Sequence, residues 1–463
     1  MHHFFKIIFV LLAFSISSKN NFNVDKPNFI IYLSDDQDFL DYNIYGNQNV
    51  QSDGVNRLAR EGLVFTNFHT GQAICAPSRS QLYTGLYPLK NGSYANHTNV
   101  KSNTLTIVQH LKKIGYEVGL AGKDHVGPMQ TFNFDFHIKK IENKNLDLVR
   151  IKKYLKNIDN PFCLILASDY PHGPHPSISS YKVSDIIKHP YDFRVNPKKT
   201  GYYEFIKSDD IQLTSILKII DDSQLTQNSV FIYMADHGYS GKFTLYQKGI
   251  KVPFIMRWPN KIDAGSKNNS LLTMVDVLPT ILDIAGGDYN NFDGKSFLPI
   301  IENGEDEVNK YIYGVATRQN IQSTFVFPSR MVSDGKFKLI RNYNSIEVYD
   351  KNLTENENIN YFIEIGAKNF SNIPFEELFD LQLDPYEKNN LARNKKYNDI
   401  KNILSKELDN WMIDQKDFIK IGKMPLLKPT HNKYALDQNS DWKIVDNDFI
   451  GKLSQKDYMD THY

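Results

Sequence analysis

Phe29-Ile30-Ile31-Tyr32-Leu33, followed at once by Ser34-Asp35-Asp36, sets the pattern that organises this chain. Short apolar runs of the same kind recur at Val118 to Ala121, Phe162 to Ala167 and Val230 to Met234, with a helical pattern near Gly54 to Glu61. Strands alternating with helices predict an α/β fold, a mostly parallel sheet covered by helices on both faces. Each run ends in charged or imidazole groups: Asp35-Asp36 after the first, Lys123 and His125 after the second, Asp169 and His172 after the third, Asp236-His237 after the fourth. Ligands of open α/β sheets sit outside the carboxyl ends of the strands. One such ending reads as a helix cap or a solvated turn; four in one domain predict a site.

Asp35, Asp36 and Asp236 bring three carboxylates toward that site. Like charges a few ångströms apart are tolerated only when a cation or protons neutralise them. A hard divalent metal is the natural occupant, and oxygen donors in number suit Ca²⁺ or Mg²⁺ rather than thiolate-bound zinc.

The 463 residues, 41% hydrophobic and 13% aromatic, can bury a large core and suggest one large domain with a smaller one. With 54 basic and 53 acidic residues, net +1, no global field draws the chain to nucleic acid or to a membrane surface, so an acidic substrate must be gripped locally. Met1 to Lys6, the apolar run Ile7 to Phe14 and Ser15-Ile16-Ser17 read as a secretory signal peptide over residues 1–18. About a dozen apolar residues fall short of the roughly 20 that span a bilayer, so no stable membrane insertion is expected. The expectation is an exported protein, periplasmic, secreted or lysosomal according to its source. Of two cysteines, Cys163 lies inside an apolar run and reads as a small core residue.

A polar stretch from Ser177 to Tyr203, with Pro190 and Pro197, reads as a long excursion of the kind that shapes a substrate pocket. After about residue 305 the pattern changes. Arg330 to Ile340 looks like a hairpin with an Asp334-Gly335 turn, and Leu378-Phe379-Asp380 leads on to a helix ending near Trp411. The boundaries expected are a catalytic domain over 25–305 and a smaller α+β domain with an antiparallel sheet over 306–463. The tail after about Lys420 has little periodicity and is left unassigned.

Cys75-Ala76-Pro77-Ser78-Arg79, running on to Thr84-Gly85, resembles the maturation signature Cys-x-Pro-x-Arg of the type I, formylglycine-dependent sulfatases. The resemblance extends from about Lys26 to Trp411 through Asp35-Asp36, Gly122-Lys123-Asp124-His125, Pro171-His172, Ala235-Asp236-His237-Gly238, Gly241-Lys242, Asp276 to Thr280 and Asp384-Pro385. Alanine at position 76, where serine or threonine is commoner, and His237, where many relatives have asparagine, are the departures. Lys123 to Pro128, Phe132 to Phe136 and Arg330 look nearest to heparan N-sulfatase (sulfamidase) members.

The resemblance implies an alkaline-phosphatase-like fold and oxidation of Cys75 to Cα-formylglycine by a formylglycine-generating or equivalent maturation enzyme. It implies one Ca²⁺ held by Asp35, Asp36, Asp236, His237 and the oxidised residue 75. By motif matching, Arg79 holds the formylglycine, and His125 is the base that lets sulfate leave. Lys123, Lys242 and His172 bind sulfate oxygens, with Lys242 or His172 protonating the leaving group. Arg330 is expected to contact a carboxylated or sulfated sugar, or else to pair with a surface carboxylate. The partner is a sulfated saccharide, with a homodimer among the expected assemblies. N-sulfoglucosamine at the end of a heparin-type chain is the first substrate expected. The alternatives are an exported O-sulfatase acting on algal or host polysaccharide and a non-catalytic glycan-binding relative in which Cys75 stays unmodified.

Overall fold

The computed structural model describes residues 26–141, 144–186, 198–304, 307–318, 327–345, 347, 367–420, 423–425 and 458–460. The expected signal peptide, residues 187–197 of the polar excursion and most of the tail beyond Lys420 lie outside them.

In chain order the first strands are β1 (Asn28–Ser34), β2 (Leu63–Phe65), β3 (Phe68–His69), β4 (Glu117–Gly122), β5 (Phe136–Ile138), β6 (Phe162–Ala167), β7 (Ser229–Ala235), β8 (Phe254–Arg257), β9 (Ser266–Asn268) and β10 (Leu272–Thr273). The helices among them are α1 (Asp53–Glu61), α2 (Cys75–Thr84), α3 (Pro88–Asn91), α4 (Ile107–Lys113), α5 (Leu148–Asn157), α6 (Lys199–Asp222), α7 (Gln247–Ile250), α8 (Val277–Ile284) and α9 (Leu298–Asn303). Eight strands form one sheet in the order β5-β4-β6-β1-β7-β8-β2-β9. From β5 to β7 every pairing is parallel, and β8 runs against both its neighbours.

All of β1 is buried, which is why it reads as an unbroken apolar run. Its side chains alternate between two cores. Phe29, Ile31 and Leu33 pack with Leu82 of α2, Leu111 of α4 and Leu278 of α8. Ile30 and Tyr32 pack with Leu58 of α1, Leu155 of α5 and Leu217 of α6. Register then sets the mouth of the sheet: Leu33 lies opposite Ala167 and Met234, and Gly122 opposite Ala167. The strands β4, β6, β1 and β7 therefore end level with one another, and the residues that follow them share one edge.

The C-terminal part is an antiparallel sheet, β11 (Ile312–Ala316), β12 (Ser329–Ser333), β13 (Phe337–Asn342) and β14 (Glu376–Asp380), in that order. Asp334 closes the expected turn by accepting the Lys336 and Phe337 N–H groups, and Gly335 supplies φ 87°. Helix α10 (Asn398–Asp414) lays Leu404, Leu408 and Met412 on Val332, Leu339 and Leu378. Its Trp411 stacks on Tyr313 at 4.8 Å and meets Tyr87 edge-on at 5.3 Å, which ties this sheet to the first part of the chain. A mixed, mostly parallel sheet flanked by helices, with a separate antiparallel sheet after it, is the architecture expected from the sequence. Among the described residues no helix is long and apolar enough to cross a membrane. Cys163, inside β6, is a buried free thiol, the core residue it reads as.

Candidate active site

Helix α2 brings Cys75 to the edge where the four strands end. All ten of its residues are buried. Pro77 falls in the first turn, where a missing N–H costs nothing. Ser78 Oγ donates to the Asp236 carbonyl at 2.5 Å and so fixes the helix to the end of β7. The helix stops at Gly85, φ 64°, whose N–H reaches Gln81 O. A Cβ there would lie 2.6 Å from the Phe292 ring, so glycine serves both the turn and the close approach.

Cys75 Sγ lies 3.3 Å from His237 Nε2 and 4.0 Å from an Asp36 oxygen. Asp36 takes φ 63°, held by its N–H on Asp236 Oδ1 at 3.0 Å and by the Tyr202 hydroxyl on its carbonyl. Arg79, one turn after Cys75, reaches Asp236 Oδ2 at 3.1 Å, Asp35 Oδ1 at 3.3 Å and the Lys123 carbonyl at 3.3 Å. Lys123 pairs with the other oxygen of Asp35, and Lys242 sits 2.9 Å from both oxygens of Asp36. His172 Nε2 is 3.8 Å from Asp36. The donor atoms of Asp36, Cys75 and His237, and likewise of Asp35, Cys75 and Asp236, lie within 4.8 Å of one another, all buried.

Three carboxylates facing three cations shift one another strongly. Burial works to raise Asp35, but Lys123 and Arg79 outweigh it and hold the carboxyl well below its usual range. Burial wins at Asp236, pushed up to about 7. His237 goes up to about 9, because Asp236 and Asp36 overcome its burial. Burial opposes the Cys75 thiolate, yet Lys123 and Lys242 bring the thiol down to about 7. His125 is driven down to about 3 by burial and then by Lys123 and Arg79, so it is a neutral imidazole.

The pocket over these groups holds about 600 Å³, with Cys75, Lys123, His125, His172 and Lys242 among the residues that line it. Of two histidines near the third strand end, His172 faces this pocket, whereas His175 turns back to the Pro171 carbonyl and packs against Tyr202 and Tyr239. A larger cavity of about 750 Å³, between Thr84 to Lys90 and Gly286 to Phe292, holds none of the charged groups that gather around Cys75.

Arg330 is a correction. On β12 it is fully buried, grips Asp417 with two parallel bonds of 2.6 and 2.9 Å, and donates to the Ala316 and Ser329 carbonyls. It is not among the pocket residues, and every donor group of its fork has an internal partner. Asp417 is itself fully buried, so the partner is neither the expected sugar nor a surface carboxylate. The pocket also contains residues that were not singled out: Asn96, His97, Lys139 and Lys140. Lys139 and Lys140 directly follow β5, so the strand-end rule reaches them too. Asp169, which follows the third strand, lines the pocket and pairs with Lys140 and, at 2.9 Å, with Lys144.

The Sulfatase family model matches residues 27–287, and a model described as N-sulphoglucosamine sulphohydrolase, C-terminal, matches residues 235–366. An ulvan-active sulfatase of Formosa agariphila is 46% identical over 461 residues, 96% of this chain and 92% of that one. The human N-sulphoglucosamine sulphohydrolase is 23% identical, over 88% of this chain and 95% of its own. Among solved structures, a 2-O GAG sulfatase superposes with a TM-score of 0.67 at 21% identity, over 86% of this chain and 94% of that one. A protein in complex with its substrate D-glucosamine-2-N,6-O-disulfate gives 0.66 at 20% identity, over 85% and 98%. These two likenesses are likenesses of fold.

Proposed function

The chain belongs to the sulfatase family, and from that footing we propose that it removes sulfate esters from a sulfated polysaccharide of the ulvan type, with Cys75 acting after conversion to Cα-formylglycine. The observation that carries the substrate is identity of 46% across nearly the whole chain to an ulvan-active enzyme, against 23% to the human N-sulphoglucosamine enzyme. This reverses the order expected from the sequence, in which N-sulfoglucosamine stood first and an algal polysaccharide second.

The donor set fits a hard divalent cation. Arg79, Lys123 and Lys242 already balance the three carboxylates, so a divalent ion leaves the pocket positive toward an incoming sulfate group. Asp35, Asp36, Asp236 and His237 would hold calcium, which when bound polarises the sulfate and makes a hydroxyl on residue 75 more acidic. The Cys75 sulfur stands where the oxygens of the oxidised, hydrated side chain would be, which supply one hydroxyl for attack on sulfur and a second for release of sulfate.

The remaining roles belong to the chain's own side chains. Lys123 and Lys242 neutralise the sulfate oxygens as charge spreads over them. Against its burial, the Cys75 thiolate and then Asp36 and Asp35 raise the pKa of Lys242 well above the usual lysine value, so it keeps its proton. His172, at the rim and 35% exposed, is therefore the better donor to the departing sugar oxygen. His125, neutral at working pH, accepts the proton whose loss releases sulfate. Arg79 keeps the Asp35 and Asp236 carboxylates apart and oriented. A maturation enzyme acting on the exposed signature before folding, and export directed by the apolar run Ile7 to Phe14, complete the reading.

Incubating matured protein separately with ulvan oligosaccharides and with N-sulfoglucosamine, and measuring free sulfate, tests the substrate. Release from ulvan is expected. Release from N-sulfoglucosamine alone overturns the polysaccharide reading and leaves the sulfatase chemistry standing.

A further inference from the structure

His97 and His125 face each other across the pocket wall. His97 Nδ1 lies 2.9 Å from His125 Nε2, with the rings 4.4 Å apart and tilted by 53°. Both residues have left-handed backbones, φ 63° and 48°, which side-chain-bearing residues rarely adopt and which concentrate at functional sites. The loop carrying His97 is braced on every side. Ser93 Oγ donates to Thr98 O at 3.1 Å, Thr98 Oγ1 to Ala95 O at 2.6 Å, and Gln72 to Tyr94 O at 2.8 Å. Asn96 accepts the Ala76 N–H at 3.3 Å, so the loop is also fixed to the helix that carries Cys75.

The second nitrogen of His125 decides what this contact does. His125 Nδ1 is buried and has no hydrogen-bond partner among the described residues. A base must offer a lone pair, and with Nε2 engaged by His97 only Nδ1 is left to offer one. That requires the proton of the neutral ring to sit on Nε2, and so an acceptor opposite it. We propose that His97 is the positioning residue of His125: its Nδ1 accepts the Nε2 proton and fixes the tautomer that leaves Nδ1 as the base. The inference rests on the reading of His125 as the base for sulfate release. When Nδ1 takes its proton, Nε2–H becomes the donor of a charge-assisted bond to the same acceptor, which steadies the imidazolium.

The test compares His97→Gly with His97→Asn. Both tolerate the left-handed backbone, but only asparagine brings a side-chain oxygen to about the position of Nδ1. Nitrogen-15 shifts of the imidazoles, read without substrate, should show His125 as the Nε2–H tautomer in the wild type and in His97→Asn, and as a mixture in His97→Gly. In sulfate release from ulvan oligosaccharides, His97→Gly should lose about 10- to 100-fold in kcat with KM changed by less than about 3-fold, and His97→Asn should recover most of it. In a His125→Ala background, His97→Gly should add no further loss. A wild-type tautomer with its proton on Nδ1, equal losses in the two His97 variants, or a loss confined to KM overturns the inference. Should His125→Ala itself keep its kcat, the base reading falls and takes this one with it. Where His125→Ala is inactive and His97→Gly matches the wild type in both tautomer and kcat, only the positioning role falls.

Discussion

Arg79 and Arg330 are both fully buried and both paired with aspartate, yet only Arg79 reaches the carboxylates that surround Cys75. Arg330 closes on a single carboxylate, with both Asp417 oxygens taken by one fork and the remaining donors on backbone carbonyls. That pair is complete in itself. Arg79 spreads one fork over Asp35 and Asp236 at 3.1 to 3.3 Å, and those carboxylates still face Lys123, His237 and Cys75. Burial alone therefore does not separate a structural arginine from a functional one. Acceptor capacity left over after the arginine is satisfied does, because that remainder is what a cation or a substrate can use.

The largest effect expected tests the closed pair. Arg330→Met leaves the Asp417 carboxylate buried without its partner and should cost about 3 to 5 kcal/mol in urea unfolding, with kcat and KM of the folded protein unchanged. Adding Asp417→Leu should restore most of that loss, since two apolar groups replace two charges. A raised KM with stability intact would mean that Arg330 touches substrate and the contrast is wrong. Next comes Arg79→Lys. An ammonium cannot bridge Asp35, Asp236 and the Lys123 carbonyl at once, so kcat/KM should fall about 100-fold in a folded protein. Activity within about 3-fold of the wild type would make Arg79 a second Arg330.

Asp209 offers a smaller, third case, a buried carboxylate held by hydroxyls rather than by arginine. It accepts from Tyr32, Ser34 and Ser168 at 2.5 to 2.7 Å, and burial pushes it up to about 7. Its folded-state pKa lies above the unfolded value near 4, so the native state holds a proton that the unfolded chain has released. The stability this contributes is full below about pH 4 and is lost as pH rises toward about 7, with a slope of at most about 1.4 kcal/mol per pH unit. Asp209→Asn should flatten that fall, as measured by urea midpoints between pH 4 and 7. An unchanged slope would assign the proton elsewhere.

The strand-end residues were legible because a sheet covered on both faces writes its strands as unbroken apolar runs, and whatever follows a run lies at the mouth of the sheet. Lys139 and Lys140 escaped the same rule because β5 is three residues long and leaves little pattern. Arg330 reads as a site residue on family resemblance, and its true partner, 87 positions further on, leaves no local signal. His97 sits in the loop Asn96-His97-Thr98, and nothing local ties it to His125 across 28 residues. Nothing in the sequence around Asp209 marked it out. Only the topology, which lays α6 under the ends of β1 and β6, turns it toward Ser34 and Ser168.

The central claim is that residue 75 works in an oxidised form at the centre of the charged cluster. The mass of the tryptic peptide containing residue 75, taken from protein that releases sulfate, tests it most directly. The peptide should be about 18 Da lighter than its cysteine form, with H₂S exchanged for oxygen, in proportion to the activity of the preparation. Full sulfate release by protein whose residue 75 is entirely cysteine would contradict it.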